Sequence, residues 1–200
     1  MGVKSIERKN AKEFCAGDEM NTPNKLTILR VILIPFFVLF MLVDQIPNHN
    51  YIALAIFCVA CITDALDGYI ARKYNLITNF GKFMDPLADK LLVGAALICF
   101  VSLPELHFPA WVAIVIISRE FTISGFRLVA ADNGVVIAAS YWGKFKTVSQ
   151  MIMSILLILN LQWKPMFYLE QAFIYISVLL TVISLVDYMV KNKEVLKETK

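Results

Sequence analysis

The chain has 200 residues, enough for one domain, and 58% of them are hydrophobic, with a mean hydropathy of +0.67. A soluble domain holds roughly 45–50% apolar residues, so the surplus indicates a protein whose solvent is lipid. The net charge of +3 is modest, and we expect no nucleic-acid partner. The two histidines and four cysteines show no metal-ligand spacing, which argues against histidine-based catalysis and a structural zinc site.

The first 19 residues differ in character from the rest of the chain. Residues 1–19 are polar and lack the apolar core of a signal peptide. They are either a native extension, a stretch upstream of a start at Met20, or a remnant added to the protein. We expect residues 20–200 to form a single six-helix transmembrane domain.

Six apolar segments long enough to cross a bilayer follow one another along that domain. A spanning helix needs roughly 20 mostly apolar residues, and these segments are too long and too continuous for strands. The predicted spans are Leu26–Val43, Tyr51–Ala71, Pro86–Leu103, Pro109–Ala131, Phe145–Leu161 and Tyr168–Val190. The predicted fold class is therefore an all-α integral membrane protein with six transmembrane helices.

Basic residues mark every second connection between these spans. Lysine and arginine residues precede span one, lie between spans two and three and after span four, and follow span six. The opposite connections together contain a single such residue, Lys164. By the positive-inside rule both termini are cytoplasmic, and the connections after spans two and four lie on the same side. We expect a multi-pass protein of the cell membrane.

Four aspartates flank the connection between spans two and three. Asp64 and Asp67 are three residues apart, and Asp85 and Asp89 are four apart, so each pair shares one face of a helix. Antiparallel packing of the two helices brings the pairs together. A carboxylate at the membrane centre costs about 2.5–3.5 kcal/mol, and hard divalent cations with oxygen ligands offset both that cost and the mutual repulsion. The array predicts a two-metal site for Mg²⁺ or Mn²⁺.

The segment from Asp64 to Asp89 follows the pattern D-x-x-D-G-x-x-A-R, eight residues, then G-x-x-x-D-x-x-x-D. This pattern resembles the signature of the CDP-alcohol phosphatidyltransferases without a departure, and the likeness extends over the layout after Met20. The resemblance implies displacement of CMP from a CDP-lipid by an alcohol hydroxyl. It also implies that Asp64, Asp67 and Asp85 bind metal, and that Asp89 is the catalytic base close to the second metal.

The resemblance also places the nucleotide beside the acidic motif. Arg72 offers a forked donor to a phosphate, and it also fits an anchor at the cytoplasmic interface. At the start of span one, helix capping by Asn24 and interface anchoring by Arg30 compete with nucleotide binding as explanations. The CDP-lipid-binding residues that the resemblance implies are Asn24, Thr27, Arg30, Gly68, Ala71, Arg72, Thr78 and Gly81.

Charged residues also interrupt span four and open span five. An arginine in lipid needs a partner or an aqueous cavity. Glu120 points about 100° away from Arg119 around a helix, which makes it a poor partner, and Asp187 is an alternative one. The residues that we interpret as a basic pocket for a second phosphate are Arg119, Arg127, Lys144 and Lys146.

A second phosphate pocket indicates that the acceptor alcohol is itself phosphorylated. The segments ISREFTISGFR and GKFKT resemble those of family members that use glycerol 3-phosphate. The implied reaction is attack of the C1 hydroxyl of glycerol 3-phosphate on the β-phosphate of CDP-diacylglycerol, giving phosphatidylglycerophosphate and CMP. The resemblance also implies a homodimer that is surrounded by membrane lipids. Alternative acceptors in the family are inositol phosphate, serine and choline. From other classes, a cation transporter and a non-catalytic lipid-binding scaffold are alternatives, although no inverted repeat supports transport.

Overall fold

The computed structural model describes residues 22–73, 79–132, 137 and 140–193, with side chains for 24–64, 66, 84, 87–131, 137 and 140–193. Within these ranges the chain forms six α-helices and a short 3-10 turn at Pro104–Leu106, and no strand. In chain order, α1 to α6 are Thr22–Leu42, His49–Lys73, Asn79–Ser102, Ala110–Asp132, Tyr141–Leu159 and Lys164–Lys191.

Each helix coincides with one of the six apolar segments, so the prediction of an all-helical fold is confirmed. Several helices begin before the apolar part of their sequence: α3 starts at Asn79 and α5 at Tyr141. Hydropathy detects the apolar part of a helix that fits the hydrocarbon core of a membrane. The helix itself continues into the polar interface, where its side chains are solvated. Among the described residues, Asn24–Leu42 and Lys164–Lys191 are long and apolar enough by composition to cross a membrane.

The six helices pack as a closed ring. Following the contacts around it, α1 lies against α2, α2 against α5, α5 against α6, α6 against α4, α4 against α3, and α3 against α1. Apolar side chains fill one end of the ring, where Phe37 of α1 meets Phe57 of α2 with ring centroids 5.8 Å apart. Met153 and Leu157 of α5 join the same core.

The outer surface of the bundle is apolar and part of its interior is polar. Ile98, Ile114 and Leu128 are largely exposed, with more than half of each side chain facing outward. In the interior, Ser149 of α5 and Ser177 of α6 are buried and their hydroxyls lie 3.0 Å apart. Small hydroxylated residues at helix contacts and large apolar residues outside are typical of helices packed in lipid.

Candidate active site

A cavity of about 160 Å³ lies inside the ring, between side chains of α1, α2, α3, α4 and α5. Each helix turns only part of its surface inward, so residues far apart in sequence meet here. The charged residues in its wall are Arg30, Asp64, Asp89, Lys90, Glu120 and Lys146. A lipid-embedded bundle that gathers three carboxylates and three cations in one interior space has the composition of a functional site.

Two of the four predicted aspartates meet in this cavity. Asp64 reaches it from α2 and Asp89 from α3, two helices that lie on either side of α1 in the ring. Asp64 Oδ1 forms a salt bridge with Arg30 Nη1 of α1, with the two atoms 2.7 Å apart. The Arg30 side chain is 0% exposed, so it lies inside the bundle, and interface anchoring does not explain it.

Asn24, Thr27 and Arg30 form a buried stripe on α1. They are spaced three residues apart, which places them on one face of the helix, and all three are buried. The helix begins at Thr22, so Asn24 stands in the first turn and not before it, where a helix cap would be. Arg30 of this stripe lines the cavity, and the binding of CDP-lipid by the three residues stays a prediction.

Several predicted site residues fall outside the described part of the chain. Thr78 lies outside the described residues, and only the backbone is described for Asp67, Gly68, Ala71, Arg72, Gly81 and Asp85. Among the residues that are described, no group of three or more histidine, cysteine, aspartate or glutamate side chains is placed to hold a metal ion. The described part of the acidic motif therefore consists of Asp64 and Asp89.

Glu120 of α4 joins two of the predicted basic residues. Its Oε1 accepts a hydrogen bond from Arg119 Nη1 at 2.8 Å and another from Lys146 Nζ of α5. Arg119 Nη2 also donates to Ser184 Oγ of α6 at 2.7 Å. The expectation that Glu120 is a poor partner for Arg119 is wrong, because two long side chains that leave a helix 100° apart still meet when both bend toward the interior.

The alternative partner for Arg119, Asp187, is engaged elsewhere. Asp187 Oδ2 accepts a hydrogen bond from Ser140 Oγ at 2.6 Å, and its Oδ1 lies 2.7 Å from Lys191 Nζ. The contact with Ser140 joins the end of α6 to the start of α5, and the contact with Lys191 lies within α6. Asp187 therefore has a role in local structure at this end of the bundle.

The predicted basic pocket is split in the structure. Lys146 lines the cavity. Arg119 does not, but it donates a hydrogen bond to Glu120, which is part of the cavity wall. Arg127 Nε donates to Tyr188 Oη at 3.3 Å, and its guanidinium lies over that ring at 5.6 Å from the centroid. Lys144 is exposed and is not part of the cavity wall.

Sequence reasoning missed Gln150 and Ser154, which also line the cavity. Together with Lys146 they are spaced four residues apart, so they form a polar stripe along one face of α5. Polar residues at this period in an otherwise apolar span are the signal that would have indicated them. All three are buried in the bundle.

A second cavity, of about 420 Å³ and apolar, opens beside the first between α1, α3 and α4. Lys90, Val93 and Glu120 line both cavities, so the two spaces adjoin. The apolar part of its wall includes Val31, Ile34, Gly94, Ile98, Ile117 and Phe121. A charged space next to an apolar one suits a molecule with a polar head and a hydrocarbon tail.

A sequence model of the CDP-alcohol phosphatidyltransferases matches residues 20–183. The chain belongs to this family. CDP-alcohol phosphatidyltransferases are membrane enzymes that generally depend on divalent metal ions, so the chain is a phosphatidyltransferase of a membrane. The family membership predicted from the aspartate motif is confirmed.

Relatives within the family are similar over most of their length. The chain is 46% identical over 190 residues to a CDP-diacylglycerol--glycerol-3-phosphate 3-phosphatidyltransferase of Bacillus subtilis (strain 168), covering 88% of this chain and 97% of the relative. Proteins of the same name from Haemophilus influenzae and Escherichia coli (strain K12) are 43% and 38% identical over 176 and 180 residues. Each alignment covers 86% of this chain, and 92% and 94% of the respective relative.

Proposed function

We propose that the chain transfers the phosphatidyl group of CDP-diacylglycerol to the C1 hydroxyl of sn-glycerol 3-phosphate, giving phosphatidylglycerophosphate and CMP. The observation that carries this proposal is the interior cavity in which Asp64 and Asp89 face Arg30 and Lys146. Both substrates are anionic, and the acceptor must lose a proton, so the site needs cations and a base. The names of the similar bacterial proteins support the same pair of substrates.

The aspartates fit the metal ions on which the family generally depends. Asp64 and Asp89 bring carboxylate oxygens from two helices to one cavity, and such oxygens are the ligands that Mg²⁺ and Mn²⁺ prefer. Asp67 and Asp85 lie one turn away along α2 and α3, and we include them in a proposed two-metal set. Bound metal supplies neutralisation of the pyrophosphate and of the charge that develops on the departing CMP.

Asp89 is the proposed general base. Its carboxylate takes the proton of the acceptor C1 hydroxyl while that oxygen attacks the β-phosphorus. The bond from the β-phosphorus to the oxygen bridging the two phosphates breaks, and CMP leaves with that oxygen. The position of Asp89 in the wall shared with Lys146 supports this role, because the acceptor is proposed to bind between them.

The acceptor phosphate is proposed to bind at Lys146 and Arg119, with Arg127 and Lys144 at the outer rim. Lys146 is in the cavity wall, and Arg119 is held next to it by Glu120. Arg127 and Lys144 lie closer to the ends of their helices, on the approach from water. A row of cations from the rim inward favours an anionic acceptor over serine or choline.

The CDP-lipid is proposed to bind on the other side of the cavity. The residues assigned to it are Asn24, Thr27, Arg30, Gly68, Ala71, Arg72, Thr78 and Gly81. The buried stripe on α1 supports this assignment, because Arg30 presents a guanidinium beside Asp64. The adjoining apolar cavity is proposed to hold an acyl chain of the same molecule, since its wall offers hydrocarbon contact directly next to the charged space.

We propose that all six helices span the cell membrane, with both termini and the site at the cytoplasmic face, and that residues 20–200 form one catalytic domain after the extension 1–19. The distribution of basic residues among the connections supports this orientation. The large exposed apolar residues of α3 and α4 support contact with lipid. A homodimer is proposed from the family resemblance.

The test is CMP release by the purified protein with CDP-diacylglycerol, Mg²⁺ or Mn²⁺, and each acceptor in turn: glycerol 3-phosphate, inositol phosphate, serine and choline. We expect release with glycerol 3-phosphate. Release with another acceptor but not with this one would refute the proposed acceptor. Ion flux in liposomes without metal-dependent CMP release would favour the transporter alternative.

The proposed base is tested by Asp89→Asn. Loss of a positioned base lowers turnover by about 10²–10⁴-fold, so we expect that fall in kcat with CDP-lipid binding retained. Asp44→Asn is the matched control, because Asp44 is exposed in the connection between α1 and α2. Unchanged turnover in Asp89→Asn would remove Asp89 from this role and would favour a lipid-binding scaffold.

A further inference from the structure

Gln150 is a buried amide in the wall of the charged cavity. Its side chain lies on α5, the residue is 4% exposed, and its Nε2 has no hydrogen-bond partner among the described residues. A buried donor without a partner is destabilising, and an apolar side chain of similar size would avoid that cost. The position therefore favours a ligand oxygen that enters the cavity and accepts from Nε2.

The neighbours of Gln150 indicate which substrate brings this oxygen. Lys146 lies one turn before it on α5, so the two Cα atoms are about 6 Å apart along the axis. Asp89 lies about 15 Å along α3 from Asn79, and Gln150 about 14 Å along α5 from Tyr141, so each is deep within its helix. The base, the amide and the lysine thus line one cavity, with the amide and the lysine buried on one face of α5.

This arrangement matches a three-carbon phosphate ester. When the acceptor phosphate binds Lys146 and its C1 hydroxyl faces Asp89, the C2 hydroxyl between them is the polar group still without a partner. A neutral amide suits a hydroxyl, whereas a phosphate would favour a cation. We propose that Gln150 donates a hydrogen bond to the C2 hydroxyl of glycerol 3-phosphate and is a specificity-determining residue of this enzyme. The inference rests on the proposed function and adds the contact that recognises the polyol.

The experiment combines removal of the Gln150 amide from the protein with removal of the C2 hydroxyl from the substrate. Wild type and Gln150→Leu are assayed for CMP release with glycerol 3-phosphate and with 3-hydroxypropyl phosphate, which lacks only the C2 hydroxyl. One neutral hydrogen bond corresponds to about a 3- to 10-fold preference in kcat/KM, so wild type is expected to prefer glycerol 3-phosphate by that factor. Gln150→Leu is expected to lose the preference and to retain the wild-type KM for CDP-diacylglycerol.

Gln171→Leu is the matched control. Gln171 of α6 also has a buried Nε2 without a partner among the described residues, but it does not line the cavity. This variant is expected to keep the wild-type preference. If Gln150→Leu does not fold, Gln150→Met tests the same loss of the amide with an unbranched side chain.

Each result is decisive for one of the two proposals. A preference that persists in Gln150→Leu or Gln150→Met overturns the role of the amide while leaving the proposed reaction intact. A rise in KM for CDP-diacylglycerol with the preference unchanged also overturns it, because the amide then serves the donor lipid. Absence of CMP release by wild type with glycerol 3-phosphate refutes the proposed function itself, and this inference with it.

Discussion

Glu120→Gln tests whether one carboxylate holds the basic wall of the cavity together. In the structure Glu120 Oε1 accepts from both Arg119 and Lys146. Arg119 keeps a second described contact, to Ser184, when the charge is removed. For Lys146, which is only 3% exposed, Glu120 is the one ion-pair partner among the described residues. The substitution thus leaves a buried ammonium next to a guanidinium without the anion that separates them.

The magnitude follows from the burial of this cluster. Removing one partner of a buried ion pair costs about 3–5 kcal/mol, because the remaining charge stays desolvated. At roughly 2–4 °C per kcal/mol for a chain of this size, Glu120→Gln is expected to lower the apparent Tm by about 6–20 °C. Lys146→Met is expected to cost less, because Glu120 still pairs with Arg119 at 2.8 Å. The double variant removes both halves of the pair, and its Tm should lie above that of Glu120→Gln alone.

The assay is thermal unfolding of the four proteins in the same detergent, read as a double-mutant cycle, together with CMP release. All three variants are expected to raise the KM for glycerol 3-phosphate, since each changes the proposed phosphate site. The order of the Tm values distinguishes loss of an ion pair from simple loss of packing. A double variant whose loss of Tm equals the sum of the two single losses would refute the coupling that the structure shows.

Three other outcomes are expected. Chelation of divalent metal is expected to abolish CMP release and its restoration to recover it, and Asp64→Asn should lower kcat by about 10²-fold or more at equal metal; full activity in chelator would refute the metal site. Gly94 lines the apolar cavity and a Cβ there meets nothing within 4 Å, so Gly94→Leu should raise the KM for long-chain CDP-diacylglycerol roughly tenfold and leave a short-chain analogue unaffected. Gly125→Leu, equally open but outside that cavity, should have no effect on either lipid. A Cβ at Gly143 would lie 3.6 Å from Arg119 Nη2, so Gly143→Ala is expected to be tolerated, whereas Gly143→Leu displaces the guanidinium and raises the KM for glycerol 3-phosphate by about tenfold.

The sequence predicted those features that depend on local composition and spacing. Six apolar segments of sufficient length led to six helices, because a backbone in hydrocarbon must satisfy its hydrogen bonds within the segment. The spacing of Asp64 and Asp67 and of Asp85 and Asp89 placed each pair on one face of a helix. The family followed from the resemblance of the whole segment Asp64–Asp89 to a known signature. Neither inference needed to know which helices are neighbours.

Side-chain partners between helices could not be predicted in this way. The sequence predicts one basic pocket made of Arg119, Arg127, Lys144 and Lys146. In the structure, Lys146 lies in the cavity wall, whereas Arg127 packs against Tyr188. The angle between adjacent residues on a helix argues against Glu120 as a partner of Arg119, but the two long side chains reach across that angle. Such contacts depend on rotamers and on the packing of other helices.

By itself, the sequence determined that this protein is a helical membrane protein, because hydropathy and helical period are properties of single segments. The motif from Asp64 to Asp89 indicated a phosphatidyltransferase through its resemblance to the family signature. Only the tertiary structure decided which residues share a space. The closed ring of helices brings α5 beside α2 and opposite α3, and so places Gln150 in one cavity with Asp64 and Asp89. The order of helices around a ring results from packing among all of them, and no single segment of the chain encodes it.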